Sequence, residues 1–479
     1  MTDKKNLNVC LLNDSFPPTI DGVANTVFNY ASILTKYDHH VTVGTPNYPG
    51  VKDNYDFDVV RYASVDATNF VGYRAGIPYN PRIVATLADK KPDIIHSHCP
   101  VVSTILGRIV RKKVNKPMIF TYHTKFDIEI RQAISSHLIQ DAAIGFLADN
   151  IAACDEIWVV SKGAGDNMKS LGISGDYVVM PNGVDFEKGR ASEELIRDVE
   201  DKYHLDKTIP TYLFVGRMYW YKGLRIILDA LRKKKDAGQK FQMLFVGSGR
   251  ELDEVKDYCN ELKLNEECQF TGPVYDRNYL KAIFSACDLF LFPSTYDTNG
   301  IVVREAASSG LASVLIKDSC ASEDTIHMQN ALWIEENADS MANLLIELGD
   351  NKELFRKLGD NAMNELYLSW EDSVLNAYKR YEYVYEKFDP KSVKHFSLNP
   401  NEQLISMISN LSKAVTMERK VMSVTRDAVD DLRSIVDTTG WRREEIEFYV
   451  SKVAEEDFED YMDKIAVQTK DIFKQDKEC

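Results

Sequence analysis

Two carboxylates, Asp297 and Glu305, frame the stretch Phe292 to Gly310, which reads Phe-Pro-Ser-Thr-Tyr-Asp-Thr-Asn-Gly-Ile-Val-Val-Arg-Glu-Ala-Ala-Ser-Ser-Gly. Between them lie the backbone amides of Asn299, Gly300, Ile301 and Val302, at the expected start of a helix, where unpaired N–H groups and the helix dipole favour an anion. Gly300 permits close approach of the backbone to a ligand. Carboxylates suit neutral hydroxyls, as on a sugar, while amides suit a phosphate, and a site wanting both points to a nucleotide sugar. A second pair, Arg217 and Lys222, stands in Gly-Arg-Met-Tyr-Trp-Tyr-Lys-Gly. A guanidinium fork and an ammonium on one loop suit a diphosphate leaving group. Solvated acids and surface cations have the same composition, so neither loop decides the matter alone.

These residues need a frame. The run Leu289–Phe292 before the acidic loop and the run Ala312–Ile316 after it read as buried parallel strands, with a helix expected to start at Thr298-Asn299 and stop at Gly310. The acids then sit at the carboxyl end of a strand, where open α/β sheets bind ligands. Similar apolar runs recur at 8–12, 40–45, 58–62, 93–97, 118–122, 156–160 and 177–180. After a turn-rich Pro181-Asn182-Gly183-Val184-Asp185 and a charged helical connector over 192–204, they restart at 211–215, 242–246, 268–271, 289–292, 312–315 and 331–334. Strands alternating with helices imply βαβ units. The expected architecture is α/β, with two facing Rossmann-like domains of parallel sheet, residues 1–190 and 191–388, and a C-terminal helical extension over 389–479. Val246-Gly247-Ser248-Gly249 and Phe270-Thr271-Gly272-Pro273-Val274 end strands on the same expected edge as the acids. In the first domain Gly22, after the first strand, offers an amide to a ligand or simply makes a turn. His123 ends a strand at the cleft edge. His96 and His98 alternate like metal ligands, but no third ligand accompanies them.

The chain has 479 residues, 44% hydrophobic and 27% charged, enough for two or three folded domains. A net charge of -15 argues against nucleic acid as a partner. Eight scattered cysteines show no metal-type or CxxC spacing and read as reduced packing residues. No apolar run reaches membrane-spanning length, and Met-Thr-Asp-Lys-Lys-Asn leads into a strand without signal-peptide features, so a cytoplasmic location is expected.

In order along residues 7 to 388, the Phe-Pro-Pro…Gly-Val opening, Pro92 to His98, Pro181 to Asp185, Gly216-Arg217 with Lys222-Gly223, and the Asp297-to-Glu305 element resemble the retaining GT-B glycosyltransferases with an E-x7-E element. That large family includes sucrose synthases and glucosyl-diacylglycerol synthases. The resemblance implies that Arg217 and Lys222 hold the diphosphate. It gives Glu305 the ribose hydroxyls, and Asp297 with the amides of Asn299, Gly300, Ile301 and Val302 the sugar hydroxyls. His123 would contact the sugar near its 6-position, Gly22 would face the phosphate and Val274 would lie beside the base. It further implies retention of anomeric configuration, no metal and no cofactor beyond the nucleotide sugar as co-substrate. Front-face displacement is the usual proposal, with the leaving phosphate helping to deprotonate the acceptor. Two departures stand out. The first acid is Asp297 rather than Glu, as in the related trehalose-phosphate synthases, and Asp21-Gly22 replaces the usual glycine pair of the first loop.

Thr121-Tyr122-His123-Thr124-Lys125 and the opening loop look most like lipid glucosyltransferases. The expected reaction is transfer of a hexose, with UDP-glucose the favoured donor, to a lipid or glycan acceptor. The basic segment 108–116 offers a peripheral contact with the inner membrane face, or is a solvated helix end. A nucleotide-sugar epimerase on the same architecture, or a catalytically silent GT-B scaffold subunit, are the competing readings; Arg217, Lys222 and the D-x7-E loop favour transfer. The tail beyond Pro390 has no counterpart in the minimal family pattern. Its apolar stripes over 404–436 and 444–473, joined by Thr438-Thr439-Gly440-Trp441, predict a helical hairpin that serves self-association or a protein partner.

Overall fold

The computed structural model describes residues 6–19, 21–67, 74–78, 80–133 and 136–392. The expected hairpin over 404–473 lies outside the described residues. Alternating apolar runs and amphipathic segments produce the βαβ order anticipated from the sequence. The first half runs β1 (Asn8–Leu12), α1 (Gly22–Lys36), β2 (His40–Pro46), β3 (Asp58–Tyr62), the short antiparallel pair β4 (Ser64–Val65) and β5 (Ala75–Gly76), α2 (Pro81–Asp89), β6 (Ile94–Ser97), α3 (Val102–Val114), β7 (Met118–Tyr122), α4 (Phe126–Ala133), α5 (His137–Ala152), β8 (Glu156–Val159), α6 (Lys162–Ser170) and β9 (Tyr177–Val179). Its sheet has the order β3-β2-β1-β6-β7-β8-β9, with β1–β2, β1–β6, β2–β3, β6–β7 and β8–β9 paired in parallel.

The second half runs α7 (Glu193–Lys202), β10 (Thr211–Val215), α8 (Leu224–Asp236), β11 (Gln242–Val246), α9 (Leu252–Glu261), β12 (Cys268–Gly272), α10 (Arg277–Ala286), β13 (Leu289–Phe292), α11 (Ile301–Ser308), β14 (Ala312–Ile316), β15 (Ala331–Ile334), α12 (Ala338–Leu348), α13 (Lys352–Glu365) and α14 (Trp370–Lys387). Its parallel sheet has the order β12-β11-β10-β13-β14-β15. This is the doubly wound order, which reverses direction between β10 and β13 and opens a crevice at their carboxyl ends. Register fixes those two strands side by side, with Tyr212 opposite Leu289 and Leu213 opposite Phe290.

The strands hold the chain because they are apolar on both faces. Leu213, Phe214, Leu244, Phe245, Phe290, Leu291 and Val314 are fully buried in one large core, against Ile227 and Leu231 of α8. A separate core joins Cys10, Leu12, Ile95, Leu106 and Met118 in the first half. Truncating one such residue, as in Leu291→Ala, costs about 2–5 kcal/mol, because the cavity left behind closes only in part. The described cysteines are free thiols, mostly buried, in keeping with a packing role.

By packing density the described chain forms two compact units. One comprises the described residues up to Phe120, with Asp149–Asp155 and residues 382–392. The other comprises Thr121–Ala148 and Glu156–Tyr381. The second unit contains the crevice of the β10–β13 sheet and the loops after β7 and β8.

Candidate functional site

Lys222 and Asp297 are delivered by the two loops at the strand-order reversal. After β10 the chain makes a single 3-10 turn over Trp220–Lys222, and Gly223 follows with φ +78°. A Cβ at Gly223 would stand 2.2 Å from the carbonyl oxygen of Pro293, so only glycine lets the two loops approach this closely. Lys222 Nζ then lies 2.6 and 2.8 Å from the two carboxylate oxygens of Asp297. Ser294 Oγ donates a third bond to Asp297, at 2.6 Å. Lys222 is only 7% exposed, its ammonium flanked by the rings of Tyr221 and Tyr296, each centroid 5.6 Å away. The cation expected on phosphate and the carboxylate expected on sugar therefore pair with each other. Arg217 stays exposed at the end of β10, over the ring of Tyr219.

The helix after Asp297 begins later than the sequence suggests. Thr298 and Asn299 are not its caps. Instead Gly300 is the capping residue, in the left-handed region at φ +57°, ψ +49°, and α11 runs from Ile301 to Ser308. The two polar side chains tie the loop down elsewhere. Thr298 Oγ1 donates to the carbonyl of His123, and Asn299 Nδ2 donates to the carbonyl of Val160 at 2.7 Å. Ser161 Oγ donates to the carbonyl of Thr298, and Lys125 Nζ to that of Thr295 at 2.8 Å. With no side-chain cap, the opening amides of Ile301 and Val302 lack intrahelical acceptors. Asn299 Oδ1 is buried without a hydrogen-bond partner among the described residues.

Glu305 lies one turn into α11 and is not a free acid. Arg277, the first residue of α10, donates from Nη2 to its Oε1 at 2.5 Å. Burial pushes the Glu305 carboxyl above its ordinary value, the Arg277 guanidinium opposes that shift, and Asp185 adds to it. His123 is buried, and desolvation pulls its imidazole down to about 3, so the ring is neutral at physiological pH. Val274 follows β12, partly buried against the core, beside Tyr275, which is 80% exposed.

Gly22 belongs to the other compact unit, as the first residue of α1. Asp21 caps that helix, accepting from the amides of Val23 and Ala24 at 2.8 Å each. In the same unit the basic segment is largely consumed internally. Arg108 bonds Asn150, Arg111 bonds Asp155 and the carbonyl of Ala153, and Lys116 bonds Asp93 and Tyr385. Lys112 and Lys113 remain exposed.

The crevice residues fit a nucleotide sugar by type: an ammonium and an exposed guanidinium for phosphates, two carboxylates for hydroxyls, open amides and a neutral imidazole. A pocket of about 90 Å³ beside Asn299 and Gly300, walled by Ser161, Arg304, Cys320 and Glu323, includes none of Lys222, Asp297 or Glu305. It has room for a few waters rather than a nucleotide sugar. Among the described residues no group of three or more His, Cys, Asp and Glu side chains gathers as a metal site, and no helix is long and apolar enough to cross a membrane. Sequence reasoning missed Arg277, whose partner Glu305 is remote in the chain. It missed Ser294 as well, although its place three residues before Asp297 was a usable signal.

Residues 20–188 match the family described as Glycosyltransferase Family 4, and residues 196–365 match Glycosyl transferases group 1. The chain is similar to alpha-monoglucosyldiacylglycerol synthase of Acholeplasma laidlawii, 23% identical over 74% of this chain and 92% of that protein. It is similar to the enzyme of that name from Streptococcus pneumoniae, 23% identical over 64% of this chain and 70% of that protein. Among solved structures, sucrose-phosphate synthase from Thermosynechococcus elongatus superposes with a TM-score of 0.65 at 19% identity, over 80% of this chain and all of that one. HepE of Anabaena in complex with UDP superposes with a TM-score of 0.62 at 16% identity, over 79% of this chain and all of that one.

Proposed function

The chain belongs to the GT-B glycosyltransferases, with a family 4 domain followed by a group 1 domain, and from that premise we propose that it moves a hexose from UDP-glucose or a related UDP-hexose to a lipid or glycan acceptor with retention. One observation carries the reading. Lys222 and Asp297 meet at 2.6 Å beside the open amides of α11, so the groups suited to the diphosphate and to the hexose converge on one point. The donor would replace that internal ion pair with bonds from Lys222 to phosphate and from sugar hydroxyls to Asp297. Arg217, exposed on the same loop, supplies the guanidinium.

As the bond from the anomeric carbon to the phosphate oxygen breaks, negative charge grows on the leaving diphosphate. Preorganised cations and amides stabilise that charge more than they stabilise the ground state. Neutral His123 can both donate to and accept from a hexose hydroxyl without adding charge. The protein thereby contributes position and charge, with the departing phosphate taking the acceptor's proton, and no metal or further cofactor enters. A lipid acceptor is favoured by the relatives named glucosyldiacylglycerol synthases, and would place the protein at the inner membrane face.

Two carboxyl variants test the division of labour. Glu305→Gln should weaken binding of free UDP, and Asp297→Asn should cut turnover while leaving UDP affinity nearly intact, both read by calorimetry and by product analysis with radiolabelled UDP-glucose and diacylglycerol. Equal loss of UDP affinity in both variants would show that the two acids do not divide sugar from nucleotide.

A further inference from the structure

Glu305 has an unusual setting for a hydroxyl acceptor. Its side chain is 12% exposed, and three elements converge on it: α11, which carries it, the first residue of α10, and the loop after β9. From α10, Arg277 Nη2 reaches Oε1 at 2.5 Å and the same nitrogen lies 3.6 Å from Asp185 Oδ2. Its guanidinium carbon lies 4.3 Å from the ring centroid of Phe186. A planar guanidinium that lies over an aromatic ring while one of its nitrogens holds a carboxylate is a geometry lysine cannot reproduce. Arg277 itself remains 43% exposed, so the pair opens to solvent on its arginine side.

We propose that Arg277 is a positioning residue of the nucleotide site, anchoring Glu305 through Oε1 so that Oε2 accepts from a ribose hydroxyl of the nucleoside diphosphate. The inference rests on Glu305 being the ribose acceptor, as above, and adds what makes it one. A carboxylate accepts at both oxygens, whereas a carboxylic acid presents one acceptor and one donor. Burial and the nearby Asp185 carboxylate both favour the protonated form of Glu305, and Arg277 is the charge that opposes them. Phe186 fixes the plane of the guanidinium, and with it the direction from which Oε1 is held. A merely structural pair, tying α10 to α11, would stabilise the fold without sensing the ribose.

The test compares the full chain with Arg277→Ala, Arg277→Lys and Glu305→Gln. Each is titrated by calorimetry with the better bound of UDP and GDP, and with its 2′-deoxy counterpart, at pH 6 and pH 8. The parent chain should prefer the ribonucleotide by about tenfold, the worth of one charge-assisted hydrogen bond. Arg277→Ala should lose most of that preference at pH 6 and regain part of it at pH 8, since Glu305 then titrates higher and ionises only as the pH rises. Arg277→Lys should fall between, restoring charge without the plane that lies over Phe186. An Arg277→Ala chain with the parent's ribose preference at both pH values overturns the inference, even if its melting temperature falls. If Glu305→Gln keeps the preference, the ribose assignment fails and this inference with it. If the parent chain binds neither diphosphate, the nucleotide-sugar reading itself is the one overturned.

Discussion

The two sheets share a topology and end their key strands in opposite ways. Each reverses strand order once, between β1 and β6 in the first and between β10 and β13 in the second. In the first sheet the helices that follow both have first-turn amides held by an aspartate carboxylate. Asp21 caps α1, and Asp14 reaches the start of α3, accepting from the amides of Val102 at 3.1 Å and Ser103 at 2.7 Å and from the Ser103 hydroxyl. In the second sheet the helices α8 and α11 both start on a left-handed glycine, Gly223 and Gly300, with no side-chain cap. An aspartate cap satisfies first-turn amides and places a negative charge where a phosphate would go. A glycine cap leaves the amides and the dipole for an incoming anion. The same strand order therefore makes one self-satisfied end and one anion-ready end, which is why the diphosphate is assigned to the second.

The largest effect that could break this contrast is on turnover. Lys222→Ala should lower the rate of hexose transfer by about two orders of magnitude or more, as for loss of one preorganised charge at a reacting centre. Asp297, left without its ammonium, keeps Ser294 as a donor and partial access to solvent, so the fold should survive. Near-normal transfer by a folded Lys222→Ala chain would remove the phosphate role of this loop. The mirror experiment is Asp14→Ala in the first sheet, which orphans two buried amides and removes an acceptor from the Ser103 and Tyr62 hydroxyls. It should cost about 2–3 kcal/mol of stability, seen as a lower denaturation midpoint, with UDP affinity unchanged. If Asp14→Ala instead abolished UDP binding at full stability, the two ends would not differ as described.

Acid sensitivity should follow the second unit's buried imidazole. In the folded chain His123 titrates at about 3, against about 6.5 when exposed, so the unfolded chain takes up a proton that the folded one refuses. The penalty is absent above roughly pH 6.5, grows as the pH falls, and levels off below about pH 3. At pH 5 it amounts to about 2 kcal/mol. His123→Asn should be less stable than the parent at pH 8 but should lose less stability between pH 7 and pH 5, as followed by thermal melts. Parallel losses in the two chains would mean that His123 is protonated in the folded state.

Strand positions were legible because alternation of apolar runs and turn residues is local, and Asn8–Leu12, Thr211–Val215 and Leu289–Phe292 occur where the pattern puts them. The residue types at 217, 222, 297 and 305 were legible as candidates, since phosphates and hydroxyls demand few residue types. What was not legible is who already holds whom. That Lys222 pairs with Asp297 depends on two loops meeting at Gly223, and that Arg277 pairs with Glu305 depends on α10 lying beside α11. Thr298 and Asn299 read as helix caps by composition, but a left-handed Gly300 took that role and freed both for bonds to His123 and Val160. The 108–116 stretch read as a surface charge patch, yet Arg108, Arg111 and Lys116 face acceptors supplied by residues 93, 150, 153, 155 and 385. Pairing across the fold is a tertiary fact that residue spacing along the chain does not carry.

The smallest effect sharpens the contrast most, because it changes one methyl group at each kind of helix start. Gly300→Ala forces a β-carbon into the left-handed region, at about 1 kcal/mol, and brings it 3.2 Å from Ala321 Cβ. The neighbour must yield by a few tenths of an ångström, which tilts the Ile301 and Val302 amides, so UDP affinity should fall a few-fold. Gly22→Ala meets open space at an ordinary helical φ, and Asp21 still caps α1. Alanine is the better helix former there, so stability should hold or rise by a few tenths of a kcal/mol. Calorimetry with UDP and a thermal melt on both variants give the comparison directly. A few-fold loss confined to Gly300→Ala fits an anion seat made of α11 amides. An equal loss from Gly22→Ala would instead mean that the aspartate-capped helix also touches the nucleotide, and that its amide at Gly22 is part of the phosphate site despite the carboxylate beside it.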